Sequence, residues 1–81
     1  MEKNLKVTGS EIKDFIQNYL GYAQVEECDI FRSDLRLDDA SIEGLVAACN
    51  AKFEANADVE RLQTVKQLIK RVKNTAKANL I

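Results

Sequence analysis

Residues 31–40 read FRSDLRLDDA, and this stretch decides the interpretation because it leads from an irregular segment into a helix. Asp38 and Asp39 are both good helix N-cap residues, and Glu43 adds a negative charge near the positive end of the helix dipole. The apolar residues that follow recur at helical spacing: Ile42, Leu45, Val46, Cys49 and Phe53. We therefore predict a helix that begins at Asp38 or Asp39 and buries one face.

Two further helices are predicted on either side of this one. Residues 8–11, TGSE, form a capping box before Ile12, Phe15, Ile16, Tyr19 and Leu20, and Gly21 then supplies a residue that tolerates a helix C-terminus. Residues 64–67, TVKQ, form a second capping box before a stripe with the same spacing, made of Val65, Leu68, Ile69, Val72 and Ala76. Three apolar stripes are enough to enclose one small core.

The remaining segments have no sustained period. We expect residues 1–7 to be a frayed terminus and residues 22–38 to be a long loop pinned to the core by scattered apolar side chains, Phe31 above all. Residues 56–61 are expected to form a short helical turn, with Val59 and Leu62 facing inward. The expected architecture is a single all-α domain over residues 1–81, with its core in residues 8–77 and with three main helices and one short helix.

Composition restricts the function. The 81 residues contain no His and two widely spaced cysteines, so neither a general-base histidine nor a structural zinc site is expected. Cys28 and Cys49 are expected to be reduced thiols in a cytoplasmic protein, with Cys49 a small buried apolar residue. No apolar run approaches the roughly 20 residues that a membrane span needs. An enzyme is not expected, because no nucleophile-and-base pair can be assembled.

Charge is unevenly distributed along the chain. Residues 26–43 carry seven acids and two bases, whereas residues 61–81 carry six bases and no acid. Such a chain can present an acidic face to a basic partner although its net charge is only −1. The acids lack the ligand order of a calcium loop, and no metal site is expected.

The order of these features resembles the acyl carrier protein family. In that family a Phe, an Asp-Leu-Gly and an Asp-Ser-Leu mark the passage from the long loop into the second helix, and the matching residues here are Phe31, Asp34, Leu35, Leu37 and Asp38. Residues 19–21, YLG, are similar to the end of the family's first helix, and residues 63–65, QTV, to the start of its last. The resemblance covers roughly residues 10–75 and implies a four-helix bundle that works beside fatty-acid or polyketide enzymes.

The resemblance fails at the residue that carries the chemistry. The family's serine, whose hydroxyl bears phosphopantetheine, corresponds to Asp39, and the family's glycine corresponds to Arg36. A carboxylate cannot form the same phosphodiester. Ser41 offers an alternative attachment site, but it lies 12 residues before Phe53 instead of the family's 14. A slip of two residues would turn the apolar stripe of this helix by about 200°, away from the core, so the register with Asp39 is preferred.

The predicted function is therefore that of a monomeric, carrier-like protein without the usual prosthetic group. The resemblance implies that acyl-transfer or condensing enzymes would dock on the acidic start of the second helix, at Asp34, Asp38, Asp39 and Glu43. Two alternatives stay open. One is a working carrier with phosphopantetheine on Ser41, and the other is a small nucleic-acid-binding or adaptor domain that uses the basic last helix. Nucleic acid is not the expected partner, because that helix is short and has no aromatic residue to stack on bases.

Overall fold

The computed structural model describes residues 6–80, and these residues confirm an all-α fold. The helices are α1 (Gly9–Leu20), α2 (Asp39–Phe53) and α3 (Val65–Thr75), followed by a short 3₁₀ helix at Lys77–Asn79. Within the described range no strand forms, and a single antiparallel backbone bridge joins Ile30 to Thr64.

Local sequence signals set the ends of α1 and α3. The Thr8 hydroxyl accepts the Glu11 N–H at 3.2 Å, and the Glu11 carboxylate accepts the Thr8 N–H at 2.9 Å. Thr64 and Gln67 form the same reciprocal pair, at 3.2 and 3.1 Å. Gly21 ends α1 with a φ of 77°, a left-handed conformation that suits glycine. Both capping boxes and the glycine terminus are confirmed.

The three helices enclose one core, as the apolar periodicity predicts, although Tyr19 of the predicted α1 stripe is 49% exposed and lies outside it. Its helical members are all buried: Ile12 and Ile16 from α1, Ile42, Leu45, Val46 and Cys49 from α2, and Val65, Leu68, Ile69 and Val72 from α3. The prediction that Cys49 is a small buried apolar residue is confirmed, and its burial raises the pKa of the thiol to about 12.

The segment between α1 and α2 is pinned to the core, as predicted. Val25, Phe31 and Leu35 are buried although their segment has no regular structure. The backbone of this segment also completes α3, because the carbonyl oxygens of residues 27 and 29 accept the N–H groups of residues 66 and 65 at 2.9 and 3.0 Å. These donors belong to the first turn of α3 and would otherwise lack a partner. The long loop thus stabilises the helix that is farthest from it in the sequence.

The short helical turn predicted over residues 56–61 does not form. The structure has one hydrogen-bonded turn here, in which the Leu62 N–H donates to the Val59 carbonyl oxygen at 3.1 Å, and the rest of the segment has no regular secondary structure. Leu62 is buried as predicted, but Val59 is 39% exposed, so the prediction that it faces inward is wrong. The short helix of this fold lies after α3 instead.

Side chains from neighbouring helices explain why this segment does not form a helix. The Asn50 amide accepts the Ala57 N–H at 2.8 Å and donates to the Ala57 carbonyl at 3.1 Å. The Arg71 guanidinium donates to the carbonyl oxygens of Asp58 and Glu60, both at 2.8 Å. Because these backbone groups already have partners, they gain nothing from forming a helix.

The predicted frayed terminus falls mainly on residues 1–5, which lie outside the described residues. Val7 is not frayed. Its N–H donates to Asn79 Oδ1 at 2.8 Å, and its carbonyl oxygen accepts from Asn79 Nδ2 at 3.0 Å. Asn79 also donates to the Lys73 carbonyl oxygen at 2.8 Å. The Asn79 side chain therefore links Val7 to the last turn of α3.

Candidate functional site

The predicted recognition residues lie at the junction between the long loop and α2. Asp38 is the N-cap of α2, and its carboxylate accepts the Ser41 N–H at 2.8 Å. This backbone hydrogen bond, with a further one from the Ser41 hydroxyl, lowers the pKa of Asp38 below its ordinary value of 3.8. Asp38 is exposed, so its negative charge is available to a partner as well as to the helix.

Asp39 is the first residue of α2 and points into solvent. Its side chain is 72% exposed and forms an ion pair with Arg32, which comes from the preceding loop and is 60% exposed. An exposed pair of this kind contributes about 0–1 kcal/mol to stability. The core therefore does not require a carboxylate at position 39.

Asp34 and Glu43 lie on the two sides of this junction. The Asp34 carboxylate accepts the Ile30 N–H at 2.8 Å and so closes a turn of the loop. Glu43 is exposed on α2 and borders a shallow depression of about 140 Å³, whose other lining residues are Arg32, Asp39, Ile42, Val59 and Leu62. Asp39 and Glu43 thus line one depression, whereas Asp34 and Asp38 stabilise the backbone of the loop and of the helix start.

Ser41 lies within the first turn of α2 and is exposed. Its N–H donates to the Asp38 carboxylate, the N-cap of α2, at 2.8 Å. Phosphopantetheine does not fit position 39, because Asp39 has no hydroxyl to esterify. Ser41 offers the exposed hydroxyl on α2.

Two features of the site could not be predicted from the sequence. Arg32 forms an ion pair with Asp39, and nothing in the sequence marks it as a partner. Arg36 adopts a φ of 57°, in the left-handed region that favours glycine, and an arginine gives no signal for this conformation.

The acids of the junction do not form a metal site. Within residues 6–80, no group of three or more His, Cys, Asp or Glu side chains is arranged to hold a metal ion. Nor is any of the described helices long and apolar enough to cross a membrane.

Comparison of the chain with protein-family models, with curated proteins and with solved structures found no match. The function therefore has to be argued from the geometry of the site.

Proposed function

We propose that this protein is a non-enzymatic, carrier-like docking module that has lost the attachment serine of acyl carrier proteins. In this proposal the chain is a variant of the acyl-carrier four-helix bundle, with an extended segment in place of the short third helix. The observation that carries the proposal is the position of Asp39, an exposed carboxylate at the first residue of α2, directly after the N-cap.

The burial pattern of α2 supports the alignment that places Asp39 at the serine position. Ile42, Leu45, Val46 and Cys49 all lie in the core, which is the orientation that this alignment requires. The alternative alignment places Ser41 at the serine position and so shifts the helix by two residues. A shift of two residues corresponds to a rotation of about 200° around the helix axis, which would turn these side chains away from the core. Such a rotation is strongly disfavoured, because it would expose apolar area that is now buried.

The backbone at Arg36 supports the resemblance independently. A left-handed conformation costs a non-glycine residue about 1–2 kcal/mol. Arg36 adopts this conformation at the position where acyl carrier proteins have glycine. Phe31 and Leu35, two of the residues on which the resemblance depends, are both buried. The loop therefore has the conformation and anchoring that the family pattern would demand.

The proposed docking surface is the exposed acidic start of α2. Asp38, Asp39 and Glu43 present carboxylates there, beside the shallow depression that Ile42 and Leu62 line in part. A basic patch on an acyl-transfer or condensing enzyme would be attracted to this surface, and opposite charge raises the rate of encounter. No acyl group is carried in this proposal, so the protein would occupy or regulate a carrier-binding site.

The chemical part of the proposal is tested by intact mass after incubation with coenzyme A and a broad-specificity phosphopantetheinyl transferase. The wild-type protein should gain nothing, and Asp39→Ser should gain one phosphopantetheine. A gain by the wild type that Ser41→Ala abolishes would establish the alternative, a working carrier with an unusual attachment site.

The docking part is tested by binding to a condensing enzyme that has a basic carrier-binding face. Glu43→Lys should weaken the binding several-fold and reduce its salt dependence, because it reverses a charge on the proposed surface. The fold should be unaffected, since Glu43 is exposed and forms no ion pair within residues 6–80. Asp14→Lys, with the same charge change on α1, is the matched control and should have a smaller effect. Equal affinity of Glu43→Lys and wild type would refute the recognition surface.

A further inference from the structure

A row of exposed lysines follows one side of α3. Lys66, Lys70 and Lys73 are spaced by four and three residues, which places them within about 60° of one another around the helix axis at 100° per residue. Lys77 continues the series at the start of the 3₁₀ helix. We call these four residues the lysine row. Over the helical part it is about 10 Å long, at 1.5 Å per residue.

No carboxylate pairs directly with the lysine row within the described structure. Residues 61–81 contain no Asp or Glu, and none of the four lysines forms an ion pair within residues 6–80. The row is flanked on α3 by the neutral amides of Gln67 and Asn74. By contrast, Arg71 lies on another side of α3 and is engaged with the carbonyl oxygens of residues 58 and 60.

The two ends of the row differ in their surroundings. At one end Lys66 and Lys13 of α1 share a depression with Glu26 and Glu27, so that end is electrostatically mixed. At the other end Lys73 borders an open depression of about 430 Å³, which is also lined by Lys6, Val7, Thr8, Asn74 and Asn79. The N-terminus of α1 lies here, but the Glu11 carboxylate that bonds to the Thr8 N–H opposes the positive end of its dipole. Lys77 lies beside Glu54, whose carbonyl oxygen accepts the Lys77 N–H at 2.9 Å. The basic surface is therefore strongest at Lys70 and Lys73.

The lysine row lacks what a protein or membrane partner would need. The apolar residues of α3 (Val65, Leu68, Ile69 and Val72) are all buried, and α3 has no aromatic residue. Protein interfaces usually have an apolar centre, and amphipathic helices bind membranes through an apolar face. Lysines flanked by amides, in contrast, are typical of contacts to phosphate and sugar.

We propose that the lysine row is a sequence-independent binding surface for the sugar-phosphate backbone of nucleic acid. The surface has no group that could read base edges or stack on bases, so its affinity is electrostatic. This inference does not depend on the docking function of α2, because it concerns a different face and a different class of partner.

The test is fluorescence anisotropy with a labelled DNA duplex of about 20 base pairs, titrated from about 20 to 200 mM salt. If the row neutralises three or four phosphates, the logarithm of the binding constant should fall with the logarithm of salt with a slope of roughly −3. The double variant Lys70→Gln/Lys73→Gln should weaken binding at least about tenfold at the lowest salt and make the slope shallower by about 2.

The matched control is Lys52→Gln/Arg61→Gln, which removes the same charge from exposed sites outside the row. It should keep most of the affinity, and circular dichroism should show equal helicity for both variants. Three results would overturn the proposal: no binding at the lowest salt, an equal loss in both double variants, or tighter binding to poly-glutamate or to anionic vesicles than to the duplex.

Discussion

Phe31 is the residue whose truncation tests the packing of the long loop most sharply. It is fully buried although it lies in a segment without regular structure. Its N–H donates to the Gln63 carbonyl oxygen at 2.9 Å, and its own carbonyl oxygen accepts the Leu37 N–H at 2.9 Å. The side chain and the backbone therefore hold the loop against both the core and the start of α3.

The expected cost of Phe31→Ala follows from this burial. Truncation of a buried Phe to Ala costs about 3–5 kcal/mol, through lost apolar burial and the cavity that remains. A domain of 81 residues has a free energy of unfolding of about 4–12 kcal/mol, at 0.05–0.15 kcal/mol per residue. Phe31→Ala should therefore remove about a quarter or more of the stability, although no element of secondary structure is touched.

Urea unfolding followed by circular dichroism measures this cost directly. Phe31→Leu keeps most of the apolar volume and should cost less than half as much as Phe31→Ala. Tyr19→Ala is the control for loss of an aromatic ring at a site that is 49% exposed, and it should cost about 1 kcal/mol. A cost below about 1 kcal/mol for Phe31→Ala would show that the loop is not part of the core, and the account of its anchoring would be wrong.

Four further predictions follow from single side chains. At about pH 8 a thiol reagent should label exposed Cys28 quickly and Cys49 only on unfolding, because burial raises the Cys49 pKa to about 12; rapid labelling of both would contradict its burial. The hydrogen bond from the backbone N–H three residues further on lowers the Asp38 pKa, so its stabilising charge is present above pH 3.8 and is lost as pH falls through the lowered value. On acidification the Tm of the wild type should therefore fall relative to that of Asp38→Ser, which keeps a cap without the charge. A constant difference in Tm would count against this linkage. Gly21→Ala should lower the free energy of unfolding by about 1 kcal/mol in urea titration, and Gly21→Asn by clearly less, because Asn tolerates the left-handed conformation. Arg36→Gly should leave the free energy of unfolding unchanged or higher. Relief of about 1–2 kcal/mol of backbone strain offsets the larger conformational entropy that glycine loses on folding. A loss of stability above about 1 kcal/mol would contradict this account.

The helices could be predicted because their signals are local. The capping boxes at Thr8 and Thr64 each lie within four residues, and the apolar stripe of each helix identifies the face that is buried. The buried anchor Phe31 could be predicted for a related reason, because a large apolar side chain in a charged loop is usually buried in the core.

The segment between α2 and α3 could not be predicted in the same way. Its polar residues allow a helical turn, and local propensity gives no reason to exclude one. What excludes it is a set of contacts from distant side chains, those of Asn50 and Arg71, which occupy the backbone groups that a helix would use. Such contacts depend on the tertiary fold, so they cannot be inferred from spacing within the segment.

The candidate site was predictable in its position and only partly in its geometry. The N-cap role of Asp38 follows from residue type at a helix start. The contact between Arg32 and Asp39 depends on how the loop turns back toward α2, and the left-handed residue at position 36 helps to set that path.

The central claim is that a carrier fold has lost its attachment chemistry at position 39. The most direct test is intact mass after phosphopantetheinyl transfer to wild type and Asp39→Ser in parallel. The account predicts no gain for the wild type and one phosphopantetheine for Asp39→Ser. A gain by the wild type, or no gain by an Asp39→Ser variant with native helicity, would contradict it.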